Sequence, residues 1–366
     1  MSGAISAASP TDYGMMSGVV SEAAAIKQQL DTLTDQAGNG LVANTYAGLG
    51  TGASVSLDLN PEIASMQTWQ NNINSVTGSM DVTQTTMTQI QSIASNLYSQ
   101  LYGLQGTDGS EVSTIAASAQ NELQQVASLL DATDGNTYVF SGADSSNPPV
   151  PDPDSILSSG FYTQIAAAVG NLGTAGASAT AAATLAIASS NAAGTSPFST
   201  YMSQPAATLQ AQMPQVQTGQ GQTVAVGLLA SANTSVASTG SSTTGSYMRD
   251  LMCALATVGS LTNAQQSDPG FLGLVQDTMT TLNGAISAMA EDTGVLGNTQ
   301  SALTTTQTTL ADTQTALTSQ VSSVQDVNMA STLSNLSLVE TQLQASYQVI
   351  ATVSQLSLAK FLPADS

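Results

Sequence analysis

Apolar residues recur along much of this chain in alternating steps of three and four, the period of one helical face. The longest run is Trp69, Ile73, Val76, Met80, Thr83, Met87, Ile90, Ala94, Leu97 and Leu101. It predicts a heptad seam on a helix from Pro61 to Leu101, roughly 60 Å long. Asn60-Pro61-Glu62 reads as its start: an N-cap, proline at the first helical position, then an acid near the positive dipole end. The alternating Ser54-Val-Ser-Leu-Asp-Leu59 before it reads as a strand. Val112, Ile115, Ala119, Leu123, Val126 and Leu130 predict a second helix, folded back by a turn over Thr107-Asp-Gly-Ser110 with Ser110 as N-cap. Asn136–Gly142 and Gly221–Gly227 read as short strands. Tyr247, Leu251, Leu255 and Val258 mark another helix; Phe271, Leu274, Thr278, Leu282, Ile286 and Met289 begin a long return helix. That helix continues through an internal repeat: Leu296, Leu303, Leu310, Leu317 and Val324 are seven apart, beside Gln300, Gln307 and Gln314. Such a column fits an internal hairpin core or a surface shared between subunits.

The chain ends carry thinner stripes. Val19, Ala23, Ile26, Leu30, Leu33 and Ala37 form one, closed by Gly38 and Gly40. Leu333, Leu336, Val339, Leu343, Tyr347, Ile350, Val353 and Leu356 form the other, within Gln325–Leu362. A long helix with so narrow a stripe needs a partner helix, in the same chain or in another copy. These eight residues, with Ile26, Leu30 and Leu33, are the candidate assembly interface.

Between the ends, Pro148, Pro149, Pro151 and Pro153 mark a boundary, and residues 170–196 are an Ala/Ser/Thr/Gly mixture close to low complexity. Long helices on either side of an irregular centre should pack on each other. The expected fold is mainly α, a bundle of long coiled-coil helices from both chain ends with an inserted irregular or β central domain. Five segments are expected: an assembly segment over 1–60 paired with 325–366, inner bundle parts over 61–135 and 247–324, and a variable outer domain over 136–246.

Charge narrows the function. Three cations face 24 acids, a net of −21. A nucleic-acid binder needs a basic face, and anionic lipid would repel this chain. Histidine is absent, which removes the commonest general base and metal ligand. The single Cys253 sits in an apolar helical run and reads as a buried small hydrophobe. Gly48, Gly50 and Ala53 formally match a dinucleotide fingerprint, without the strand before and helix after that it requires. The acid pairs Asp152/Asp154 and Glu291/Asp292 read as solvated charges in turns. No catalytic, cofactor-binding or metal-ligating set is expected. No stretch reaches the ~18 apolar residues of a membrane span. The opening MSGAISAASPTDYGMMSG has neither the positive region nor the apolar core of a secretory signal.

Leu343-Gln-Ala-Ser-Tyr347, Leu356-Ser-Leu358 and Phe361-Leu362 resemble the C-terminal end of the flagellin superfamily. Gly135-Asn-Thr-Tyr-Val-Phe-Ser-Gly142 is similar to the element opening the central domain of hook–filament junction proteins, a class of hook-associated protein in that superfamily. Two places depart. Filament flagellins carry an Ala-Asn-Gln element where this chain reads Ser354-Gln-Leu-Ser, and the usual Asp-Asp-Pro loop is replaced by Ala37–Gly50. The resemblance implies a structural, non-enzymatic subunit of the bacterial flagellum, polymerising through its terminal helices and joining hook to filament. A filament subunit is the alternative; an exported adhesin or effector and a carboxylate enzyme come after it. It also implies partners: copies of itself, a hook-associated protein on the hook side, flagellin on the filament side, and an export chaperone. Localisation would be extracellular, by type III export without a cleaved signal.

Overall fold

The computed structural model describes residues 10–105 and 111–361, with side chains over 17–105 and 111–355. In chain order the elements are α1 (Pro10–Asn39), α2 (Gly52–Leu104), α3 (Val112–Leu130), β1 (Thr133–Asp134), β2 (Thr137–Tyr138), α4 (Gly160–Gly170), α5 (Leu172–Ala175), α6 (Ala177–Ala188), α7 (Ala206–Ala211), β3 (Gln215–Gly219), β4 (Gln222–Ala225), α8 (Tyr247–Gly259), α9 (Phe271–Gln325) and α10 (Met329–Phe361). The chain is thus a bundle of long helices from both ends with an inserted central section. The turn over Thr107–Ser110 falls outside the described residues.

Contacts divide the chain into two compact units. One holds the described residues up to Ser65 and those from Asp312 onward; the other is Met66–Ala311. In the second unit the α2 seam is buried as its spacing demands. Ile73, Val76, Met80, Thr83, Met87, Ile90, Ala94, Leu97 and Leu101 are all buried, and Trp69 is half-buried. The glutamine column of α9 is spent inside the chain. Gln300 donates to Asp81 Oδ1, and Gln307 donates to Asn74 Oδ1 over 2.6 Å. Both helices step by seven in opposite directions, so they run antiparallel. The α3 seam packs into the same core, together with α8, every residue of which is buried.

One expectation is corrected. The segment read as a strand, Ser54–Leu59, is the first part of α2, so Asn60-Pro61 starts nothing and Pro61 lies inside the helix. Helical spacing, not alternation, decides its packing: Ser56 is fully buried and Leu57 is 60% exposed. Four residues before Ser56, Gly52 lies so close to Val324 that an added β-carbon would sit 3.0 Å from Val324 Cβ. Proline removes the hydrogen bond to the carbonyl of Leu57, and because both residues are exposed, water can serve that carbonyl. The inserted centre carries short strands, as expected, and short helices besides. The Ala-rich stretch forms α5 and α6 within a run of short helices, α4 to α7, and strands are confined to the hairpins β1–β2 and β3–β4. Alanine is the best helix former, and small side chains let helices approach closely. Along α6 the buried side is Thr180, Thr184 and Ala188.

Buried polar groups fasten this centre. Arg249 Nε donates to Ser231 O (2.8 Å), Nη1 to Ala188 O (3.0 Å) and Nη2 to Asn191 Oδ1 (2.6 Å), with Phe198 5.0 Å from its guanidinium. Its partners are carbonyl and amide oxygens, and burial lowers its pKa to about 10, leaving it charged at neutral pH. Asp292 of α9 accepts from Tyr247 Oη (2.7 Å) and from the backbone N–H groups of Thr234 and Ser235. Asp250 accepts from Thr243 and from Thr244.

Two outcomes follow from this geometry. A β-carbon at Gly160 would fall 1.7 Å from the Gly194 carbonyl oxygen, with backbone on both sides. Gly160→Ala should therefore lower stability by about 1–3 kcal/mol, read from urea unfolding midpoints. Asp131, which accepts from Val150 N–H (2.9 Å), has its pKa raised by burial from 3.8 to about 6. The folded state thus holds this proton more tightly than the unfolded chain. Its contribution favours folding at low pH and is lost as pH rises between about 4 and 6. Asp131→Asn keeps the acceptor for Val150 and should flatten that part of the pH–stability curve.

Candidate assembly surface

The first unit is built on α1 and α10. On α1, Val19, Ala23, Ile26, Leu30, Leu33 and Ala37 are separated by four, three, four, three and four residues. Ala23 is buried and the others are half-buried, while Asp31 and Asp35 are exposed. On α10 the inward row is Thr332, Leu336, Val339, Leu343, Ser346, Ile350 and Val353, again in steps of four and three. Thr332 and Val339 are buried and the rest half-buried. α1 and α10 pack along one another, so each strict seam meets its complement.

The links at the ends of these helices set their direction. Val42 N–H donates to Gln325 O (2.7 Å) and Val327 N–H to Gly40 O (2.9 Å), a bridge centred on Leu41 and Asp326. It ties the end of α1 to the start of α10, which makes the pair antiparallel. Gly40 has φ +76°, Asn39 Oδ1 accepts from Leu41 N–H, and Gln36 Nε2 donates to Val42 O. Asn328 Oδ1 accepts from Ser331 N–H and caps α10. The stretch Asn39–Val42, within the Ala37–Gly50 segment, is therefore the fastening of the pair.

Of the sequence-predicted interface, the structure brings Ile26, Leu30 and Leu33 together with Leu336, Val339, Leu343, Ile350 and Val353. Leu333 and Tyr347 lie at the edge, 50% and 53% exposed. The side chain of Leu356 lies outside the described residues. Apolar counting selected Leu333 and Tyr347 and passed over Thr332 and Ser346; strict heptad spacing would have found the latter pair. It also missed Leu338 and Val349, exposed on another side of α10.

Other candidate chemistry resolves into structure. Cys253 is buried among α8 neighbours, its thiol pKa pushed up to about 12. Glu291 and Asp292 lie within α9 rather than in a turn; Asp292 is buried and Glu291 exposed. Gly48 lies in a 3-10 turn, Tyr46–Leu49, and Ala53 opens α2. Among the described residues no group of three His, Cys, Asp or Glu side chains is placed to hold a metal, and no helix is long and apolar enough to cross a membrane.

Two family models match the chain. The bacterial flagellin N-terminal helical region matches residues 13–145, and the bacterial flagellin C-terminal helical region matches 279–362. Together they span more than half of it. The chain belongs to the flagellin superfamily. As a member it is a structural flagellar subunit that polymerises, a component of an extracellular assembly. No curated protein matches it. The N-terminal match runs from α1 through the β1–β2 hairpin, the C-terminal match takes most of α9 and α10, and neither includes α4 to α8.

Flagellin-type terminal helices that pair through thin seams should open before the second unit does. Gly40→Val would force a branched side chain into a positive φ and loosen the fastening. Amide exchange of the monomer should then speed up at Val42 and Val327 and along α10, while Ile90 and Leu123 keep their protection.

Proposed function

We propose that this flagellin-superfamily chain is the junction subunit that joins hook to filament. The observation that carries this reading is the segment Gly135–Gly142, similar to the element of junction proteins and lying just after α3. In the fold it supplies strand β2 (Thr137–Tyr138) of a tight hairpin with β1 (Thr133–Asp134), and its Ser141 bridges to Leu229. It is thus a fixed entry into the central section. Its neighbours on this reading are a hook-associated protein on the hook side, flagellin on the filament side and copies of itself, with an export chaperone before assembly. Export runs by the type III route without a cleaved signal. Assembly draws on Ile26, Leu30, Leu33 and the α10 residues from Leu333 to Leu356. The absence of histidine and the burial of Cys253 support a non-enzymatic role.

A second reading, the filament subunit, is favoured by the two matched regions, both described as flagellin. Gold-labelled antibody on whole cells separates the two. Label confined to the boundary between hook and filament is the expected result, and deletion of the gene should leave hooks without filaments. Label along the whole filament would overturn the junction role in favour of the filament subunit.

A further inference from the structure

Helices α2 and α3 share a contact that is short of a donor. Gln100 Nε2 donates to Glu122 Oε1 over 3.5 Å, and Ser118 Oγ donates to the same oxygen over 3.2 Å. The second oxygen of each group, Gln100 Oε1 and Glu122 Oε2, is buried and accepts no hydrogen bond. Buried polar atoms are nearly always paired, so two orphaned acceptors on adjoining groups need a physical reason. A carboxylate draws N–H donors to ~2.7–2.9 Å and O–H donors to ~2.5–2.7 Å. Elsewhere the carboxylates of this chain do so: Ser79 Oγ lies 2.6 Å from Asp134 Oδ2, and Asn147 Nδ2 lies 2.7 Å from Asp144 Oδ1. The donors to Glu122 stand further off, as they do from the carbonyl oxygen of a neutral acid.

The surroundings supply no counter-charge. After Asp81, α2 carries no charged side chain, and its titratable groups there are Tyr98 and Tyr102. On α8, Arg249 is engaged by carbonyl and amide oxygens and Asp250 by Thr243 and Thr244. Asp152 and Asp154, at the turn Pro153–Ser158, are exposed. Burial raises the pKa of Glu122, and the bonds from Ser118 and Gln100 offset only part of that rise. We propose that Glu122 takes a proton from solvent in the folded subunit and donates it from Oε2 to Gln100 Oε1. Acid and amide then face each other through two bonds, and one proton satisfies both orphaned oxygens. The α2–α3 contact becomes a latch set by the medium. The folded state holds this proton more tightly than the unfolded chain, so the latch contributes at low pH and is lost as pH rises through the folded pKa. Asp131, at the end of α3, acts in the same direction, so acid tightens this helix at two places. A fold held by ion pairs weakens on acidification; this one gains hold. The inference is the same for a junction subunit and for a filament subunit.

Two measurements on the full chain test it. Isotope labelling of the glutamate carboxyls lets each be followed by NMR through a pH titration, with Glu122→Gln identifying the signal that disappears. The midpoint of Glu122 should lie above 4.5, the ordinary glutamate value; a midpoint at or below it would overturn the proposal. The second measurement is stability, taken in an Asp131→Asn background so that the other acid of α3 is silent. Glu122→Gln keeps a donor for Gln100 Oε1 at every pH. Its urea midpoint should match that of the Glu122 chain near about pH 4 and exceed it near about pH 8, the gap opening as pH rises. Curves that run parallel, or a variant less stable than the Glu122 chain at the higher pH, would sink the latch.

Discussion

A seven-residue repeat is degenerate along its own axis. Slid by one heptad, Leu296, Leu303 and Leu310 of α9 meet equivalent neighbours, and the glutamine column still finds polar partners. Something that does not repeat must fix the register, and Asp292 is placed to do so. Its carboxylate is buried and accepts from Tyr247 and from the backbone of Thr234 and Ser235. Moving α9 by one heptad, about 10 Å, would part that carboxylate from its three donors. Gln91 with Thr293, and Gln105 with Met279 Sδ, add contacts outside the repeat. The bundle owes its pairing to leucine and its alignment to these few polar contacts.

The same division explains what could be read from the amino acids. Seams were legible because burial follows spacing: nine of the ten α2 positions are buried as expected, and the α1 row is correct throughout. The α10 row was half legible. Its Thr332 and Ser346 do the work of apolar residues in a seam narrow enough for a hydroxyl. Composition therefore misleads there and period does not. The Ser54–Leu59 segment failed for the opposite reason, since alternation over six residues also fits a helix whose packing face is Gly52 and Ser56. The direction of the α1–α10 pair and the fastening at Leu41 and Asp326 depend on backbone hydrogen bonds, which no side-chain pattern records.

The central section was opaque for a further reason. Low complexity hides helices that pack through alanine and threonine, because neither gives a clear apolar period. Its fixed points are polar and come from distant parts of the chain: Arg249 reaches carbonyls of Ser231, Ala188 and Ser190, and Gln120 reaches Tyr162 and Gly259. Such bonds are specific where small side chains are interchangeable. They let a segment of nearly uniform composition adopt one arrangement.

Arg249 also alters what the exterior offers to proteases. The chain has three residues after which trypsin-like enzymes cut: Lys27, Arg249 and Lys360. One of these is shut inside the second unit, its guanidinium held by main-chain oxygens. The remaining two belong to α1 and α10. A folded subunit therefore presents no basic cleavage point over the whole of Met66–Ala311, and a polymer that covers its terminal helices would withdraw the other two. For an assembly that projects into whatever medium surrounds the cell, scarcity of lysine and arginine is a form of resistance to digestion, obtained by leaving residues out.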